Sequence, residues 1–284
     1  MRRLLALAAL IPSLLDPSWQ ILIAGDADVY DSLRLPSGVA VDQDGNVYAV
    51  DTANSRIQKV SRTGQPLATL GALGTGPAEL RRPRGAVVDP RGIVFVADTA
   101  NHRVQRFAAS GESLGPWGSI GSAPGEFILP EGVALDGAGN LYVADTGNHR
   151  VQQLSPTGEP VMAWGGPDQL RFPHGIALDA EGDLFVSDAE GVKRLSRSGQ
   201  VLRQWSEFSD PYGIALDAEG NLYVADTDHG QIAQLAPNGQ LLARWGAEGS
   251  AVGRFKFPEA VAVDAAGTIY VADRGNNRIQ VLTR

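Results

Sequence analysis

The chain has 284 residues, of which 43% are hydrophobic and 20% are charged, as is usual for a globular protein with a buried core. It contains no cysteine, which excludes disulfides and thiolate metal sites. Its formal net charge of −8 makes nucleic acid an unlikely partner, because an acidic chain repels phosphate.

The N-terminal segment resembles a targeting signal. Two arginines precede an apolar run over residues 4–15, which matches the charged and hydrophobic regions of a secretory signal. The run is shorter than the roughly 20 residues of a transmembrane helix, and no clear cleavage site precedes Asp16. Residues 1–18 are therefore either an export or cell-envelope signal or a retained helix. A retained helix leaves a cytoplasmic location open, with membrane association only through residues 1–15.

A motif of the Pro-x-Gly-Val-Ala-Val-Asp type occurs six times in the rest of the chain. Its prolines are separated by 47, 47, 43, 38 and 47 residues and are Pro36, Pro83, Pro130, Pro173, Pro211 and Pro258. The aspartate that ends the next apolar run recurs with the same spacings, at Asp51, Asp98, Asp145, Asp188, Asp226 and Asp273. Two landmarks with identical spacings indicate a repeat protein.

Each repeat contains four short β-rich runs separated by turns. After the Gly-Val-Ala-Val-Asp run come a second of the type of residues 47–50, a third of the type of residues 150–154 and a fourth of the type of residues 161–164. Such a unit buries both faces only when units stack radially. The sequence therefore predicts an all-β, six-bladed β-propeller of four-stranded antiparallel blades, forming a single domain over residues 19–284.

The two ends of the chain are predicted to close the ring. The last repeat ends after its third strand, residues 278–282, and has no fourth. Residues 19–25 resemble the fourth strands that end at Trp164 and Trp245. We expect this N-terminal strand to complete the last blade.

The repeat between residues 127 and 152 resembles the NHL repeat. It matches at Phe127, Pro130, Gly132, Asp136, Gly139, Asn140, Asp145, Thr146, Asn148 and Arg150. The resemblance covers roughly residues 19–284 and implies a propeller. NHL propellers serve as extracellular sensor domains, as RNA- or protein-binding modules and as lyases, so the resemblance does not choose a function.

The loop after the second strand reads Asp-x-x-Asn-x-Arg in four repeats, beginning at Asp51, Asp98, Asp145 and Asp273. We expect the carboxylates to fix these loops, because they can accept from backbone and guanidinium groups. Repeats four and five depart from the pattern, with Glu190 in one loop and Asp228 and His229 in the other. These variable loops either carry function or reflect drift at a tolerant position.

One position varies among the repeats, with five residue types in six copies, although it adjoins the innermost strand. It follows the proline and is occupied by Ser37, Arg84, Glu131, His174, Tyr212 and Glu259. We expect these six side chains to converge at the mouth of the central channel, with Glu131 opposite Glu259 and Arg84 opposite Tyr212. Converging polar groups predict a ligand-binding site; the alternative is that they only solvate a water-filled funnel.

These features favour a non-catalytic binding or scaffold propeller, without a cofactor, that presents its channel mouth to a protein, peptide or glycan. The alternative is a metal-dependent lyase or lactone hydrolase with zinc or calcium at the same mouth. The candidate ligands are Glu131, His174 and Glu259. A zinc site of the lyase type needs about three converging histidines, and the sequence places only His174 at the mouth, with His229 as a possible neighbour.

Overall fold

The computed structural model describes residues 19–24 and 32–283, and the strands of this part form six sheets arranged as blades. Blade 1 contains β2 (Gly38–Val41), β3 (Val47–Asp51), β4 (Arg56–Val60) and β5 (Pro66–Leu70). Blade 2 contains β6 (Ala86–Val88), β7 (Val94–Asp98) and β8 (Arg103–Phe107). Blade 3 contains β9 (Pro130–Leu135), β10 (Leu141–Asp145), β11 (Arg150–Leu154) and β12 (Pro160–Gly165).

Blade 4 contains β13 (Ile176–Leu178), β14 (Leu184–Asp188), β15 (Gly191–Leu195) and β16 (Val201–Trp205). Blade 5 contains β17 (Pro211–Leu216), β18 (Leu222–Asp226), β19 (Gln231–Leu235) and β20 (Leu241–Trp245). Blade 6 contains β21 (Pro258–Val263), β22 (Ile269–Asp273) and β23 (Arg278–Leu282), together with β1 (Trp19–Ala24). Short 3₁₀ turns follow the second strands of four blades, at Thr52–Asn54, Thr99–Asn101, Thr146–Asn148 and Arg274–Asn276. None of the helices in the described residues is long and apolar enough to span a membrane.

The predicted ring closure is confirmed. Strand β1 pairs antiparallel with β23, so that Trp19 lies opposite Leu282 and Ala24 opposite Arg278. The ring of Trp19 packs edge-on against Phe255, with 5.1 Å between the ring centroids. Gly25 and the signal-like segment 1–18 lie outside the described residues.

Blade 2 departs from the expected four strands, because its fourth strand is reduced to two isolated bridges. These bridges join Val104 to Trp117 and Phe107 to Ser113. Between them lies Pro116, which has no N–H to donate to a ladder, after Gly115 with a φ of +78°. The other five sheets have four antiparallel strands.

The hydrophobic core consists of layers between neighbouring blades. The second strands lie at its centre, and every residue of β3, β7, β10, β14, β18 and β22 is buried. One layer joins Val47 of blade 1 to Ala260 and Tyr270 of blade 6, across the closing seam. Burial against both neighbouring blades explains why these strands, before their final aspartate, carry mostly apolar side chains on both faces instead of alternating with polar ones.

Candidate functional site

The mouth residues and the aspartate loops lie on the same face of the propeller. In blade 3, Pro130 at the start of β9 lies opposite Asp145 at the end of β10, and Pro258 lies opposite Asp273 in the same way. We call this side the mouth face. We call the six residues that follow the prolines the mouth residues; they are Ser37, Arg84, Glu131, His174, Tyr212 and Glu259.

A buried aspartate fixes each loop on the mouth face. Asp145 is fully buried, and its carboxylate accepts hydrogen bonds from the backbone N–H of Ile128 (2.7 Å), from Asn148 Nδ2 (2.9 Å) and from Arg150 Nε (2.7 Å). Gln152 donates a further bond of 3.0 Å. The predicted role of these carboxylates in fixing the loops is therefore observed.

Every blade provides a cation for this aspartate, although blades 4 and 5 lack the usual arginine. In blade 4, where two residues instead of four separate β14 from β15, Lys193 Nζ lies 2.8 Å from Asp188. In blade 5, Arg244 from the outer strand lies 3.7 Å from Asp226. Burial lowers the pKa of Lys193, but its bonds to Asp188 and Glu190 outweigh this effect and raise it overall.

The variable loops of blades 4 and 5 therefore have structural partners. Glu190 accepts a bond of 2.9 Å from Lys193, and Asp228 accepts one of 3.1 Å from Ser209. His229 takes the place of the usual asparagine, with its Nδ1 2.9 Å from Asp226. His229 does not line the mouth cavity, so the mouth contains one histidine.

Hydrogen bonds between neighbouring blades position the mouth residues. The hydroxyl of Thr99 donates to the carbonyl of Pro130 in the next blade (2.7 Å), and Thr146 donates in the same way to Pro173 (2.7 Å). In blade 4, Ala189 takes the place of this threonine and cannot donate such a bond. The hydroxyl of Ser187 donates instead to the carbonyl of Tyr212. Each bond fixes the backbone beside one mouth residue.

Two histidines have a structural role that the sequence did not reveal. Nδ1 of His102 accepts from the backbone N–H of Leu129 in the next blade (3.0 Å), and His149 accepts from Phe172 (3.2 Å). Ser55 and Asn277 do the same at other seams. These two rings therefore join neighbouring blades, and neither lines the mouth cavity.

Glycine follows five of the mouth residues because the innermost strands approach closely. A Cβ on Gly132 would lie 2.2 Å from the carbonyl oxygen of His174, and one on Gly85 would lie 2.4 Å from that of Glu131. Any larger residue would push neighbouring blades apart. The mouth residues are therefore held close together.

All six mouth residues line one cavity, and Arg84 contacts three of the others. Its Nε is 3.5 Å from Glu131 and its Nη1 is 3.5 Å from Glu259. Its guanidinium carbon is 5.6 Å from the centroid of the Tyr212 ring. The ring of Tyr212 also stacks on His174 at 4.1 Å.

The remaining polar groups of the mouth are also paired. His174 Nδ1 lies 2.7 Å from the second oxygen of Glu131, and Arg274 Nε lies 3.2 Å from Glu259. The hydroxyl of Ser37 contacts Thr52 and the carbonyl of Arg84 in the seam between blades. Ser37 thus lines the cavity, but its hydroxyl is already bonded to a side chain and to the backbone at the seam between blades 1 and 2.

Burial dominates the ionisation of the mouth. It raises the pKa of Glu259, although Arg84 and Arg274 oppose it. Burial and the nearby Glu131 raise the pKa of Tyr212 to about 12. For Arg84, burial lowers the pKa, but the two carboxylates outweigh it and raise the pKa overall.

The cavity at the mouth has a volume of about 90 Å³. Sites that enclose a small molecule usually measure roughly 300–1,000 Å³. The cavity has room for a few water molecules or one inserted side chain. A larger ligand would therefore lie over the mouth instead of inside it.

A family model of the NHL repeat matches residues 33–60, 80–107, 127–154, 208–235 and 255–282. The chain is an NHL-repeat β-propeller. The unmatched repeat is that of blade 4, whose loop is shortened and whose aspartate is paired by Lys193. No match was found among functionally curated proteins.

Solved structures share the fold of this NHL propeller at low sequence identity. A gluconolactonase from Xanthomonas campestris aligns with a TM-score of 0.72 and 15% identity, covering 93% of this chain and 89% of that one. Virginiamycin B lyase from Staphylococcus aureus aligns with a TM-score of 0.62 and 16% identity, covering 94% and 85%. A protein of unknown function from Bacteroides thetaiotaomicron aligns with a TM-score of 0.73 and 17% identity, covering 93% and 75%.

The mouth of this NHL propeller does not fit a bound metal ion. The guanidinium of Arg84 occupies the position between Glu131 and Glu259 where a cation would have to lie. The other oxygen of Glu131 is bonded to the single mouth histidine, His174. Within residues 19–24 and 32–283, no three His, Cys, Asp or Glu side chains are grouped to hold a metal.

Proposed function

We propose that this NHL propeller is a non-catalytic binding module that presents its mouth face to a protein, peptide or glycan. The proposal rests on the pairing of the mouth residues around Arg84, in a cavity of only about 90 Å³ that these residues line. A small paired cavity is poorly suited to enclosing a substrate and well suited to contacting a surface laid over it.

The rigidity of the mouth supports this role. The side chains of Arg84, Glu131 and His174 remain 22%, 13% and 11% exposed, so each can still be reached from outside. Their backbones are fixed by the bonds between blades. A binding surface that is already ordered loses less conformational entropy when its partner arrives.

A metal-dependent lyase or lactone hydrolase is the second candidate. The names of two similar structures, virginiamycin B lyase and gluconolactonase, favour it. Their identity of 15–16% supports a shared fold, and one propeller fold serves many functions. The cation of Arg84 between the two carboxylates argues against a metal ion at this mouth.

A displayed random-peptide library and an immobilised glycan array provide probes for the binding proposal. We expect probes selected on the wild-type protein to bind a His174→Ala/Tyr212→Ala variant much more weakly. A matched Arg62→Ala/Arg197→Ala variant, altered in turns on the opposite face, should bind them normally. Thermal melting of both variants checks that they are folded.

Equal binding of the selected probes to the mouth variant would contradict the proposal. Elemental analysis of the purified protein tests the second candidate separately. One zinc or calcium per chain, lost in a Glu131→Ala/Glu259→Ala variant, would support the enzyme instead.

A further inference from the structure

Six pairs of residues surround the mouth, each immediately before one of the six prolines. We call them the rim. The pairs are residues 34–35, 81–82, 128–129, 171–172, 209–210 and 256–257. Because they occupy equivalent positions in a closed ring, they form a circle on the mouth face outside the mouth residues.

The rim is rich in exposed cations, although the chain as a whole is acidic. These cations are Arg34, Arg81, Arg82, Arg171 and Lys256. Within the described residues, none of them lies within ion-pair distance of a carboxylate. Their backbones are nonetheless fixed, since the N–H of Arg81 donates to Asp98 (2.6 Å) and that of Lys256 donates to Asp273 (2.7 Å). The rim therefore holds positive charge at defined places without a direct ion pair, although Lys193 and, to a smaller extent, the nearby Arg171 lower the pKa of the Glu190 carboxyl.

Large apolar side chains alternate with these cations. Leu35, Leu129, Phe172 and Phe257 are 39%, 44%, 43% and 46% exposed. Each has a positive φ, between 46° and 52°, a region that bulky residues occupy only with strain. Arg82 and Asp210 share this conformation, so the fold requires the backbone conformation but not an apolar side chain at this position. Of the four apolar residues, Phe172 also packs its ring against His149, with 4.2 Å between the ring centroids. Exposed apolar residues at a strained position indicate a contact surface.

The basic and apolar character follows an arc of five consecutive blades and stops at the remaining one. The arc runs from blade 6 through blades 1, 2 and 3 to blade 4. Blade 5 contributes Ser209 and Asp210, with Asp228 beside them. Burial and the nearby Asp228 and Glu131 raise the pKa of Asp210, although His174 and Arg84 oppose this. Carboxylates therefore gather at this gap.

We propose that the rim binds an extended acidic polypeptide segment that carries apolar side chains. The acidic groups pair with the rim cations, and the apolar groups pack on the exposed leucines and phenylalanines. A peptide can follow the arc and avoid Asp210 and Asp228. A continuous anionic surface, such as a membrane, would meet these carboxylates, so the gap favours the peptide. This inference rests on the proposed function, which makes the mouth face the binding face.

The test uses random dodecapeptides displayed on phage and panned on the full-length protein. Two charge-reversed variants are panned alongside it: Arg81→Glu/Arg171→Glu/Lys256→Glu on the rim, and Arg62→Glu/Arg91→Glu/Arg197→Glu in turns on the opposite face. We expect the wild-type and the control to enrich peptides in which Asp or Glu alternates with Leu, Ile or Phe. The rim variant should bind these peptides about tenfold more weakly, as expected when three surface charge pairs are reversed.

Substitutions of the apolar rim residues test the proposal without changing the charge of the protein and without destabilising its fold. Leu129→Asn and Phe257→Asn relieve a strained φ, so they should preserve or raise the melting temperature while weakening peptide binding. Unchanged affinity in both would overturn the proposal.

Other outcomes separate this inference from the proposed function. Selected peptides without acidic residues that still fail to bind the His174→Ala/Tyr212→Ala variant would overturn the inference and leave the proposed function standing. Equal binding of the selected peptides to every variant would contradict both the inference about the rim and the proposed function of the mouth face. Rim-dependent binding of phosphatidylserine vesicles or of single-stranded RNA, with no acidic peptide selected, would also overturn the inference.

Discussion

Arg84 Nη1 lies 3.5 Å from Glu259 Oε2, although 175 positions separate the two residues. The contact joins the innermost strand of blade 2 to that of blade 6 across blade 1. It places a protein cation between two carboxylates, where an enzyme of the alternative class would need a metal. The chemistry of the mouth therefore depends on this contact.

The ionisation of Glu259 predicts a pH-dependent effect on stability. Its pKa is raised above the ordinary 4.5, mainly by burial. A folded state with a raised carboxyl pKa binds its proton more tightly than the unfolded state, so the stability of the wild-type protein falls as pH rises through this range. Glu259→Gln removes that dependence.

Urea unfolding at several pH values measures this effect. Relative to the wild-type protein, Glu259→Gln should become more stable, with a larger free energy of unfolding, as the pH rises above the ordinary pKa of 4.5. A constant difference would mean that this carboxyl has an ordinary pKa in the folded state, and a change in the opposite direction would mean a lowered pKa; either result would contradict the prediction.

Lys193 should be essential to the fold of blade 4. It is 3% exposed and provides the cation for the fully buried Asp188. Lys193→Met leaves that carboxylate without its cation and should reduce the free energy of unfolding by about 3–5 kcal/mol. Denaturant melts provide the measurement, and Lys193→Met/Asp188→Asn should recover part of the loss. No recovery in the double variant would mean that Lys193 acts through packing alone.

Gly132 should be intolerant of a side chain. A Cβ there would lie 2.2 Å from the backbone oxygen of His174, whereas one on Gly137 would meet nothing within 4 Å. Gly132→Ala should therefore cost about 1–3 kcal/mol through overpacking, and Gly137→Ala should unfold close to the wild-type protein. Equal melting temperatures for the two variants would contradict the close approach of the inner strands.

Strand β1 should be required for ring closure. Deleting residues 1–24 removes the partner of β23 and the Trp19–Phe255 contact, so the protein should lose cooperative thermal unfolding or aggregate. Deleting residues 1–18 leaves the strand in place and should preserve the transition. Trp19→Ala is a milder change than the deletion and should lower the free energy of unfolding by about 3–5 kcal/mol. Identical melting of the two truncated proteins would refute this closure.

Most of the fold could be predicted from the sequence, because each blade repeats the same landmarks. The prolines and aspartates give the blade boundaries, and residues 19–25 resemble a missing fourth strand. The convergence of Glu131 and His174 could also be anticipated, since equivalent positions in a closed ring must face one channel. The reduced fourth strand of blade 2 was not anticipated, although Pro116 provides a signal for it.

The contacts between blades could not be predicted from the sequence. The roles of His102 and His149 depend on backbone groups of the next blade, and no sequence spacing shows that relationship. The same applies to Arg244, which reaches Asp226 from the outer strand. The positive φ of the rim residues was equally hidden, because proline restricts its neighbour without prescribing this conformation.

Hydrogen exchange of the protein with a selected peptide or glycan bound would show directly which face contacts the ligand. We expect slowed exchange only in backbone amides of the mouth face, including those of Arg84, His174 and the rim. Slowed exchange confined to the opposite face, or to the outer strands, would contradict the claim that the channel mouth is the binding site.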